Sequence, residues 1–561
     1  MWFPLAILVA VWMAAAWWAR RECLPYDVNN TDVGTYLFQA ETFAAGQLAR
    51  PTPEPREFFS QWQAIVRDRS FAYYPPLPAV AMALPIAFGG SPFLVPWLSS
   101  GLVLVLTFIW IRRLAGKRAA RFGTLVLAVS PFFVANGLSV LSHAFTLLLT
   151  VAFLVAAERW RAMGSRGWAA AAGTLLAAVF ASRPVNALAL GIAWVPWAVA
   201  STIANCQLPT EERKRQGFMG VAGFAVGFAA LFVPLALYYH ELAGRWTLSL
   251  FTDYWPRNRF GFGQGLGRGE TGHYFQTFTD HDFFGFLGNL RYSAEGLATW
   301  WTGNAWLSAA LLGLVGILLV LRIKNRISSI GSRQLAVGNV GWPLLVWPAA
   351  HVFLYAGYFT PSTPTTGPRY LAELMPALAL ATGWGMARLA TGGVARRRLA
   401  LLLFSVAMVV SAQAVVRFLR LNQLGIPARR AVEHGVVGEA RAPAVVFLRS
   451  FWIGHPLPIF RNLPSLSGPV IFACDRGAED RRLVERHPDR NAYVLALFPE
   501  GRGVRTEMVP VYRANDRRWL RAPESVEAPF FVGSRFTPSL RLEGEAARKL
   551  FYPQPDEIEG Q

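Results

Sequence analysis

The sequence is poor in lysine, in cysteine and in the motifs of several enzyme classes. The formal net charge is +20, and only four of the 54 basic residues are lysines, so nearly all of the positive charge is arginine. The three cysteines form no Cys-x-x-Cys pair and lie near no histidine cluster, which argues against a zinc site and a disulfide framework. A phosphate-binding loop, a Ser-His-Asp arrangement and a paired-carboxylate pattern are also missing. These absences argue against ATP-driven chemistry and the common hydrolase mechanisms.

Apolar residues, by contrast, are abundant. They make up 53% of the 561 residues, and the mean hydropathy is +0.32, which is too apolar for an ordinary soluble protein. About eleven apolar runs lie between residues 2 and 416, each near the length that a helix needs to cross a bilayer core of roughly 30 Å. We therefore predict an all-α polytopic membrane bundle over residues 1–416, with about eleven transmembrane helices. A small soluble α/β domain is expected over residues 417–561.

Arginine-rich clusters orient the predicted bundle. When the apolar runs are threaded back and forth, these clusters fall on one side, which the positive-inside rule assigns to the cytoplasm. Scattered arginines also suit lipid phosphate better than nucleic acid, so we expect the bilayer, and no nucleic acid, as a partner. The outer side then holds the first outer loop (residues 20–91), the turns 139–143 and 182–186, the second long outer loop (residues 240–303), the turn 359–370 and the domain from 417 onward.

Residues 74–89 leave the number of crossings open. The segment has nearly the length of a short span, and Arg20 and Arg21 after the first run favour a crossing that makes the first loop cytoplasmic. Its four prolines and its length of roughly 22 Å as a helix favour a juxtamembrane or re-entrant helix instead. The first reading gives twelve spans, and the second gives eleven.

Asp32 is a lone acid at the predicted membrane edge, where an ionisable group usually has a function. The residues after it are apolar at helical spacing, which predicts a short helix with Thr31 or Asp32 as its N-cap and Gly46 near its end. The alternative is that Asp32 only caps this helix.

Further polar side chains face the same outer compartment. Arg183 and Arg369 lie at the ends of spans, where they form either a phosphate clamp or ordinary snorkelling contacts, and Glu373 offers Arg369 a local ion pair instead. His143 is either a proton carrier or a polar cap. The second long loop is either a lid over a site or a solvated connection. The remaining candidates for a cavity or lid are Tyr36, Tyr74, Arg257, Arg259, His273 and Tyr370.

Residues 417–561 carry a different pattern. Short strands are predicted at 444–449, 469–474, 492–498 and 508–512, and helices at 428–437 and 480–486. The segment has no nucleophile elbow, phosphate loop or metal spacing. We therefore expect a binding or covering module outside the membrane and not a second enzyme.

Four short motifs resemble a known family. TDVGTYLFQAETFAAGQL, YPPLPAVAMAL, SRPVN and GPRYLAELMPALAL together resemble the GT-C superfamily of polytopic glycosyltransferases, in particular the branch of the protein O-mannosyltransferases and the lipid A aminoarabinose transferase. The resemblance covers residues 1–416. It implies an outer active site, juxtamembrane helices in the first outer loop and hence eleven spans, with Asp32 at the position of the catalytic base. Val33 follows Asp32 in place of the family's common second acid, so neither a second carboxylate nor a bound metal is implied.

The resemblance implies an integral membrane glycosyltransferase of the bacterial inner membrane. Its donor would be a polyprenyl-phosphate sugar carrying a hexose or pentose, and its acceptor a glycan, a lipid or a protein. Asp32 would activate the acceptor hydroxyl, while Arg183, Arg369 and Tyr370 would hold the leaving lipid phosphate, without metal or other cofactor and with inversion at the anomeric carbon. Two alternatives remain: a transporter or flippase for a lipid-linked or anionic solute, and a non-catalytic assembly protein.

Overall fold

A computed structural model describes the backbone of most of the chain, and 71% of it is helical. The described residues are 2–25, 27, 32–59, 64–206, 211–254, 260–268, 278–314, 316, 341–358, 366–423, 440–448, 462–463, 465–500, 503–526, 530–532 and 540–542.

The helices follow the apolar runs of the sequence. Each predicted run falls, at least in part, on a helix. The helices are α1 Trp2–Glu22, α2 Asp32–Ala44, α3 Leu77–Ala87, α4 Leu94–Val129, α5 Pro131–Gly137, α6 His143–Met163, α7 Arg166–Phe180, α8 Pro184–Cys206, α9 Glu211–Ala243, α10 Leu250–Tyr254, α11 Phe283–Thr302, α12 Ala305–Leu314, α13 Gly341–Ala356, α14 Met375–Ala390, α15 Val394–Gln423 and α16 Asp480–Arg486.

Several helices have the dimensions of membrane spans. Among the described residues, five helical segments are long and apolar enough to cross a bilayer, and further apolar helices of 10–17 residues lie beside them. The chain is therefore a multi-pass membrane protein. The five long segments are Phe3–Glu22, Leu94–Val129, His143–Met163, Gly217–Ala243 and Val394–Gln423.

The long helix α4 is a hairpin of two helical segments. Its backbone leaves helical geometry at Gly116, where φ is 85° and ψ is 174°. In a straight helix Ile111 and Gly123 would lie roughly 18 Å apart. Instead, the Ile111 Cδ1 atom lies 3.0 Å from the position that a Cβ on Gly123 would occupy. The chain therefore folds back at Gly116, and α4 covers two of the apolar runs that the sequence predicts.

The returning arm of this hairpin packs closely against α14. A Cβ on Gly123 would collide with the carbonyl oxygen of Ala379, and a Cβ on Gly383 would collide with that of Ala119. Ala119 and Gly123 are four residues apart, as are Ala379 and Gly383, so each helix presents a small-xxx-small stripe to the other. The two backbones approach through these stripes.

The first outer loop folds onto the bundle. Strands β1 Arg50–Pro51, β2 Ala64–Val66 and β3 Arg69–Ala72 form an antiparallel sheet in the order β1-β3-β2, and Phe38 of α2 packs on β2. Helix α3 has only 11 residues, about 16 Å, which is too short to cross a bilayer. Its first residue, Leu77, donates its backbone N–H to the carbonyl of Ala181. These dimensions favour a juxtamembrane helix.

The second long outer loop is more ordered than the sequence indicates. It contains a β-hairpin of β4 Gly263–Arg268 and β5 Phe278–His281, followed by the 20-residue helix α11. Asp282 caps α11 by accepting from the Gly285 N–H, and Asn289 of α11 donates to the carbonyls of Ala356 and Tyr358. The glycines and aromatics of this region weaken its helical sequence pattern, and tertiary contacts stabilise the helix that forms there.

The C-terminal region forms the predicted α/β domain. Its five-stranded sheet has the order β10-β9-β8-β6-β7, with β6 parallel to both neighbours and the other pairs antiparallel. The four predicted strands and the helix at 480–486 are confirmed, whereas the predicted helix at 428–437 lies outside the described residues. The strands are β6 Ala444–Leu448, β7 Val470–Cys474, β8 Asn491–Glu500, β9 Gly503–Arg513 and β10 Arg518–Trp519, and a separate antiparallel pair joins β11 Phe530–Val532 to β12 Leu540–Leu542.

Helix α15 and the first outer loop both bear on the extent of this domain. Helix α15 continues to Gln423, beyond the predicted end at residue 416, because Arg417 and Arg420 are compatible with a helix and do not end it. The core of the domain also takes in Phe58 and Phe59 of the first outer loop, which are 0% and 5% exposed. Burial of one such side chain stabilises a fold by roughly 1.5–3 kcal/mol.

The outer edge of β7 is closed by a side chain. Asn462 accepts from the Phe472 N–H at 2.9 Å and donates to the Phe472 carbonyl at 2.6 Å. One amide thus satisfies both backbone groups of a residue on an edge strand, as a neighbouring strand would.

Candidate functional site

Four connections meet at one end of the bundle. They are the start of α2, the segment before α6, the turn between α7 and α8, and a 3-10 helix, Arg369–Leu374, that precedes α14. Helix α6 spans roughly 30 Å, so His143 at its start and Arg161 in its last turn lie at opposite ends of the bundle. The candidate site and the predicted cytoplasmic arginines are therefore well separated.

Asp32 and Arg369 form an ion pair in this site. The Arg369 Nη2 atom donates to Asp32 Oδ2 at 2.7 Å, and the two residues are 4% and 9% exposed. Asp32 is the first residue of α2, and Gly46 after the helix has a φ of 73°, as the predicted helix end requires. The structure thus places the candidate base directly against one of the two candidate phosphate-binding arginines. Thr31, the other candidate N-cap, lies outside the described residues.

Arg183 binds the segment before α6. Its Nη1 atom donates to Ser142 Oγ at 3.3 Å and lies 3.4 Å from His143 Nε2. Because a guanidinium has only donors, this second contact requires His143 Nε2 to be the acceptor, with the proton on Nδ1. The Tyr36 hydroxyl donates to the same Ser142 oxygen at 3.0 Å. Ser142 therefore joins the first outer loop to the arginine.

Tyr370 links the two arginines. The guanidinium carbons of Arg183 and Arg369 lie 5.1 Å and 5.6 Å from the centre of its ring. Tyr355 stacks on the ring at 5.1 Å, and His351 Nε2 donates to the Tyr370 carbonyl at 2.9 Å. Tyr370 is therefore fixed by its neighbours and presents its π-face to positive charge.

The two tyrosines of the first outer loop are buried beside the acid. Tyr36 and Tyr74 stack with ring centres 4.8 Å apart. Burial raises the pKa of the Tyr36 phenol and raises that of Tyr74 well above its ordinary value. Both phenols stay protonated at neutral pH, so Tyr36 acts as a hydrogen-bond donor.

The structure adds a second acid that sequence reasoning missed. Asp27 is 2% exposed, accepts from the Ser139 hydroxyl at 2.6 Å and the Val140 N–H at 3.0 Å, and pairs with Arg20 at 3.3 Å. Its φ of 67° is one that aspartate tolerates better than most residues. Asp27 ties the end of α1 to the segment that carries Ser142. In the sequence, Asp27 is marked by its position five residues before Asp32.

Glu373, which the sequence offers as a partner of Arg369, lies beside Arg183 instead, and Asn186 is a further polar group that sequence reasoning missed. Glu373 is fully buried, with Arg183 and Asn186 as its polar neighbours. The Tyr355 hydroxyl donates to Asn186 Oδ1 at 2.5 Å. Asn186 belongs to the SRPVN turn, so that motif contributes an amide to the site as well as Arg183. The proposed local pair between Glu373 and Arg369 is not needed to explain the position of Arg369, because Asp32 holds it.

Three candidates stay untested. Arg257, Arg259 and His273 lie outside the described residues. The neighbouring helix α11 does reach the site, since a Cβ on Gly296 would lie 3.0 Å from Pro368, directly before Arg369. The part of the second loop that the structure describes therefore packs against the arginine-bearing segment.

This arrangement suits one kind of chemistry. A buried carboxylate can take a proton, and two arginines can bind a phosphate group with several charge-assisted hydrogen bonds. The tyrosine rings between and beside them offer flat apolar faces. All of these groups lie at one end of the helical bundle.

Comparisons with known proteins bear on both parts of the chain. A family model described as a domain of unknown function, DUF7846, matches residues 444–511, in the C-terminal sheet. A search of curated protein sequences found no match to the chain.

Solved structures resemble the whole fold. ArnT from Cupriavidus metallidurans bound to undecaprenyl phosphate is 15% identical with a TM-score of 0.51, covering 84% of this chain and 86% of that one. ArnT in the apo state is 14% identical with a TM-score of 0.51, covering 89% and 96%. The apo oligosaccharyltransferase of Archaeoglobus fulgidus is 12% identical with a TM-score of 0.47, covering 88% and 70%. The likeness to ArnT confirms what the sequence motifs indicate: the chain has the GT-C fold.

Proposed function

We propose that this protein is an integral membrane glycosyltransferase that moves a sugar from a polyprenyl-phosphate donor to an acceptor at the outer face of the bacterial cytoplasmic membrane. The observation that carries the proposal is the ion pair of Asp32 and Arg369 beside Arg183, at one end of a bundle with the GT-C fold. The bound undecaprenyl phosphate of ArnT supports a donor of the same chemical class.

Asp32 serves as the base in this proposal. Its carboxylate takes the proton of the acceptor hydroxyl, and the oxygen lone pair forms the new bond to the anomeric carbon. The bond from that carbon to the phosphate oxygen breaks, and its electrons leave with the lipid phosphate. Attack from the side opposite the leaving group inverts the anomeric carbon. The transferred group is a hexose or a pentose, and the acceptor is a glycan, a lipid or a protein.

The arginines receive the leaving group. Negative charge grows on the lipid phosphate as the bond breaks, and two guanidinium groups stabilise that charge in a buried site. Arginine stays protonated at any working pH, so this stabilisation needs no divalent metal and no other cofactor. Tyr370 contacts both guanidinium groups through its ring.

Donor binding also releases the base. In the structure Arg369 donates to Asp32, and a phosphate oxygen competes for the same guanidinium. The phosphate weakens the ion pair, so that the Asp32 carboxylate can accept the proton of the acceptor hydroxyl. The pair thus couples occupancy of the donor site to activation of the acceptor.

We propose eleven membrane crossings. The eleven apolar runs account for them, with α4 contributing two arms and α3 contributing none because it is too short. An odd number of crossings places the first outer loop and the C-terminal domain on the same, extracytoplasmic side.

Asp32→Asn tests the proposal directly. We expect this variant to insert and fold normally. In membranes supplied with labelled polyprenyl-phosphate sugars, it should consume the donor roughly 10²- to 10⁴-fold more slowly, because the asparagine amide cannot act as a base. Asp516→Asn, at an exposed acid of the C-terminal domain, is the control and keeps full activity.

Two results would contradict the proposal. The first is near-normal turnover in Asp32→Asn. The second is movement of a lipid-linked solute across proteoliposomes by the wild-type protein with no glycosylated product, which would favour the transporter alternative.

A further inference from the structure

We propose that the C-terminal sheet domain is a docking module whose ligand is a segment of the same chain, the 3-10 helix Arg56–Phe59 at the tip of the first outer loop. The docking holds that loop, and through it the helix that carries Asp32. The docking itself is independent of the proposed enzymatic function, and only its catalytic consequence rests on that function.

The docking contact has an apolar centre. Phe58 and Phe59 are buried in the core of the sheet domain, and the Phe58 ring lies 6.4 Å from that of Phe447 on β6. The loop lies almost 400 residues from this domain in sequence. Burial of two of its aromatic side chains in the domain core therefore requires the loop to dock on the domain. The domain core is therefore completed by the loop.

Polar contacts surround this centre and fix its orientation. Arg476 donates to the Glu57 carbonyl through Nε at 3.1 Å and Nη2 at 2.7 Å. Arg482 pairs with the Glu57 carboxylate at 3.3 Å. The backbone of the Arg476 loop is itself shaped by two buried acids, because Asp480 accepts from the Arg476 N–H and Asp475 from the Gly477 N–H. The domain thus presents a built recognition site to a single loop residue.

The recognition site for Glu57 lies at the carboxyl ends of two parallel strands. Strands β6 and β7 are parallel, and Phe447 and the Asp475–Arg476–Gly477 turn lie at their carboxyl ends. The crevice outside the carboxyl ends of parallel strands is where α/β domains bind their ligands. Here Phe58 and Phe59 fill that region. We infer that the domain matched by DUF7846 uses its ligand-binding edge to hold a loop of the membrane bundle.

The docked loop leads back to the catalytic candidate. The tip lies between β1 and β2 of the small loop sheet, whose β2 packs on Phe38. Arg50 of β1 lies 4.9 Å from the Phe38 ring centre and pairs with Glu41 at 3.4 Å. Phe38 and Glu41 belong to α2, which begins with Asp32. Docking of the tip therefore restrains α2.

A charge-swap cycle on the full-length protein in lipid nanodiscs tests the docking. Glu57→Arg and Arg482→Glu each place like charges at the contact, and the double variant restores opposite charges. We expect amide hydrogen exchange in residues 50–72 and in α2 to rise at least several-fold in each single variant and to return most of the way in the double variant. Asp516→Arg, which disrupts the exposed Arg513–Asp516 pair of the same domain, leaves that exchange unchanged.

Phe58→Ala gives an independent check on the apolar centre. We expect it to raise exchange in residues 50–72 more than either charge variant does, while β8 and β9 stay protected. If β8 and β9 lose protection, the domain has unfolded, and the charge-swap cycle alone then tests the docking. Unchanged exchange in residues 50–72 in both single charge variants overturns the proposal.

The catalytic consequence is measured separately. In the single charge variants we expect the maximal rate of sugar transfer to fall several-fold, with binding of undecaprenyl phosphate unchanged, and the double variant to recover the rate. A wild-type protein that transfers no sugar would contradict the proposed function without affecting the exchange result. Altered exchange with an unchanged transfer rate would overturn the link to Asp32 alone.

Discussion

At the residue scale, the Asp32–Arg369 pair is the central feature, because it joins two side chains that are 337 residues apart. Both are buried, so each neutralises a charge that would otherwise be costly at this depth. In the proposed mechanism the same guanidinium binds both the Asp32 carboxylate and the incoming phosphate. Binding and turnover should therefore respond differently to changes at the two positions.

We predict opposite effects of the two substitutions on phosphate binding. Asp32→Asn removes the competing carboxylate and should bind undecaprenyl phosphate as tightly as the wild type or more tightly, although turnover is lost. Arg369→Ala should weaken binding on the order of tenfold or more, because a charge-assisted hydrogen bond is lost. Titration of the purified protein with undecaprenyl phosphate measures both.

Arg388→Ala is the control for this experiment. Arg388 lies in the last turn of α14, at the end away from the site, and contacts Trp384. Its loss should leave phosphate binding unchanged. Weaker binding in Asp32→Asn would contradict the idea that the acid competes with the ligand.

His487 of the C-terminal domain makes domain stability depend on pH. Burial, with Arg490 nearby, lowers its pKa below the ordinary 6.5, so the folded domain binds fewer protons than the unfolded chain near that pH. We expect stability to be retained above about pH 6.5 and to fall as the pH drops below it. Hydrogen exchange of β8 measured between pH 5 and 8, after correction for the intrinsic rate, should show this fall, and His487→Gln should reduce it.

The sequence predicts some site residues and misses others for physical reasons. Asp32, Arg183 and Arg369 stand out because they lie at the predicted membrane edge away from the arginine-rich clusters. Ser142, Asp27 and Asn186 are polar residues of common types near the ends of helices, and their roles come from contacts between segments far apart in the chain. No local pattern encodes such contacts.

At the element scale, the pairing of the α4 return arm with α14 depends on its glycines. We predict that Gly383→Ala lowers thermal stability in detergent, because its Cβ would collide with the Ala119 carbonyl and a backbone cannot move as easily as a side-chain tip. Gly288→Ala in α11 is the matched control, since nothing lies within 4 Å of its Cβ. It should be neutral or stabilising by up to about 1 kcal/mol. Equal melting temperatures for the two variants would contradict close packing.

The elements differ in how well the sequence reveals them. The apolar runs and the C-terminal strands are evident in the sequence, because basic clusters lie between the runs and proline, glycine and aspartate separate the strands. The hairpin in α4 lies at a glycine flanked by basic residues, which marks the turn. Helix α11 was missed because its glycines and aromatics weaken the helical pattern, and its contacts with α13 supply the stability that local propensity lacks.

At the scale of the whole molecule, topology decides whether the site faces the outer compartment. Native Cys23 is buried, so it cannot report this. In a background with all three cysteines replaced by serine, we predict that Gln47→Cys reacts with a membrane-impermeant maleimide added to intact cells and that Lys117→Cys does not. Both positions are exposed in the structure, and they lie in the first outer loop and beside the Gly116 turn. Labelling of Lys117→Cys alone would show that the orientation is the reverse of the proposed one. If neither variant is labelled in intact cells but both are labelled in lysed cells, the result would support twelve crossings.

The side chain of Asn462 has a consequence beyond its own domain. An open strand edge on a domain that projects from a crowded membrane surface invites neighbouring copies to pair with it and polymerise. By occupying the donor and acceptor of Phe472, this amide removes one rung that a foreign strand would use. The amide of Asn462 therefore lowers the tendency of this strand edge to pair with a strand of a neighbouring copy.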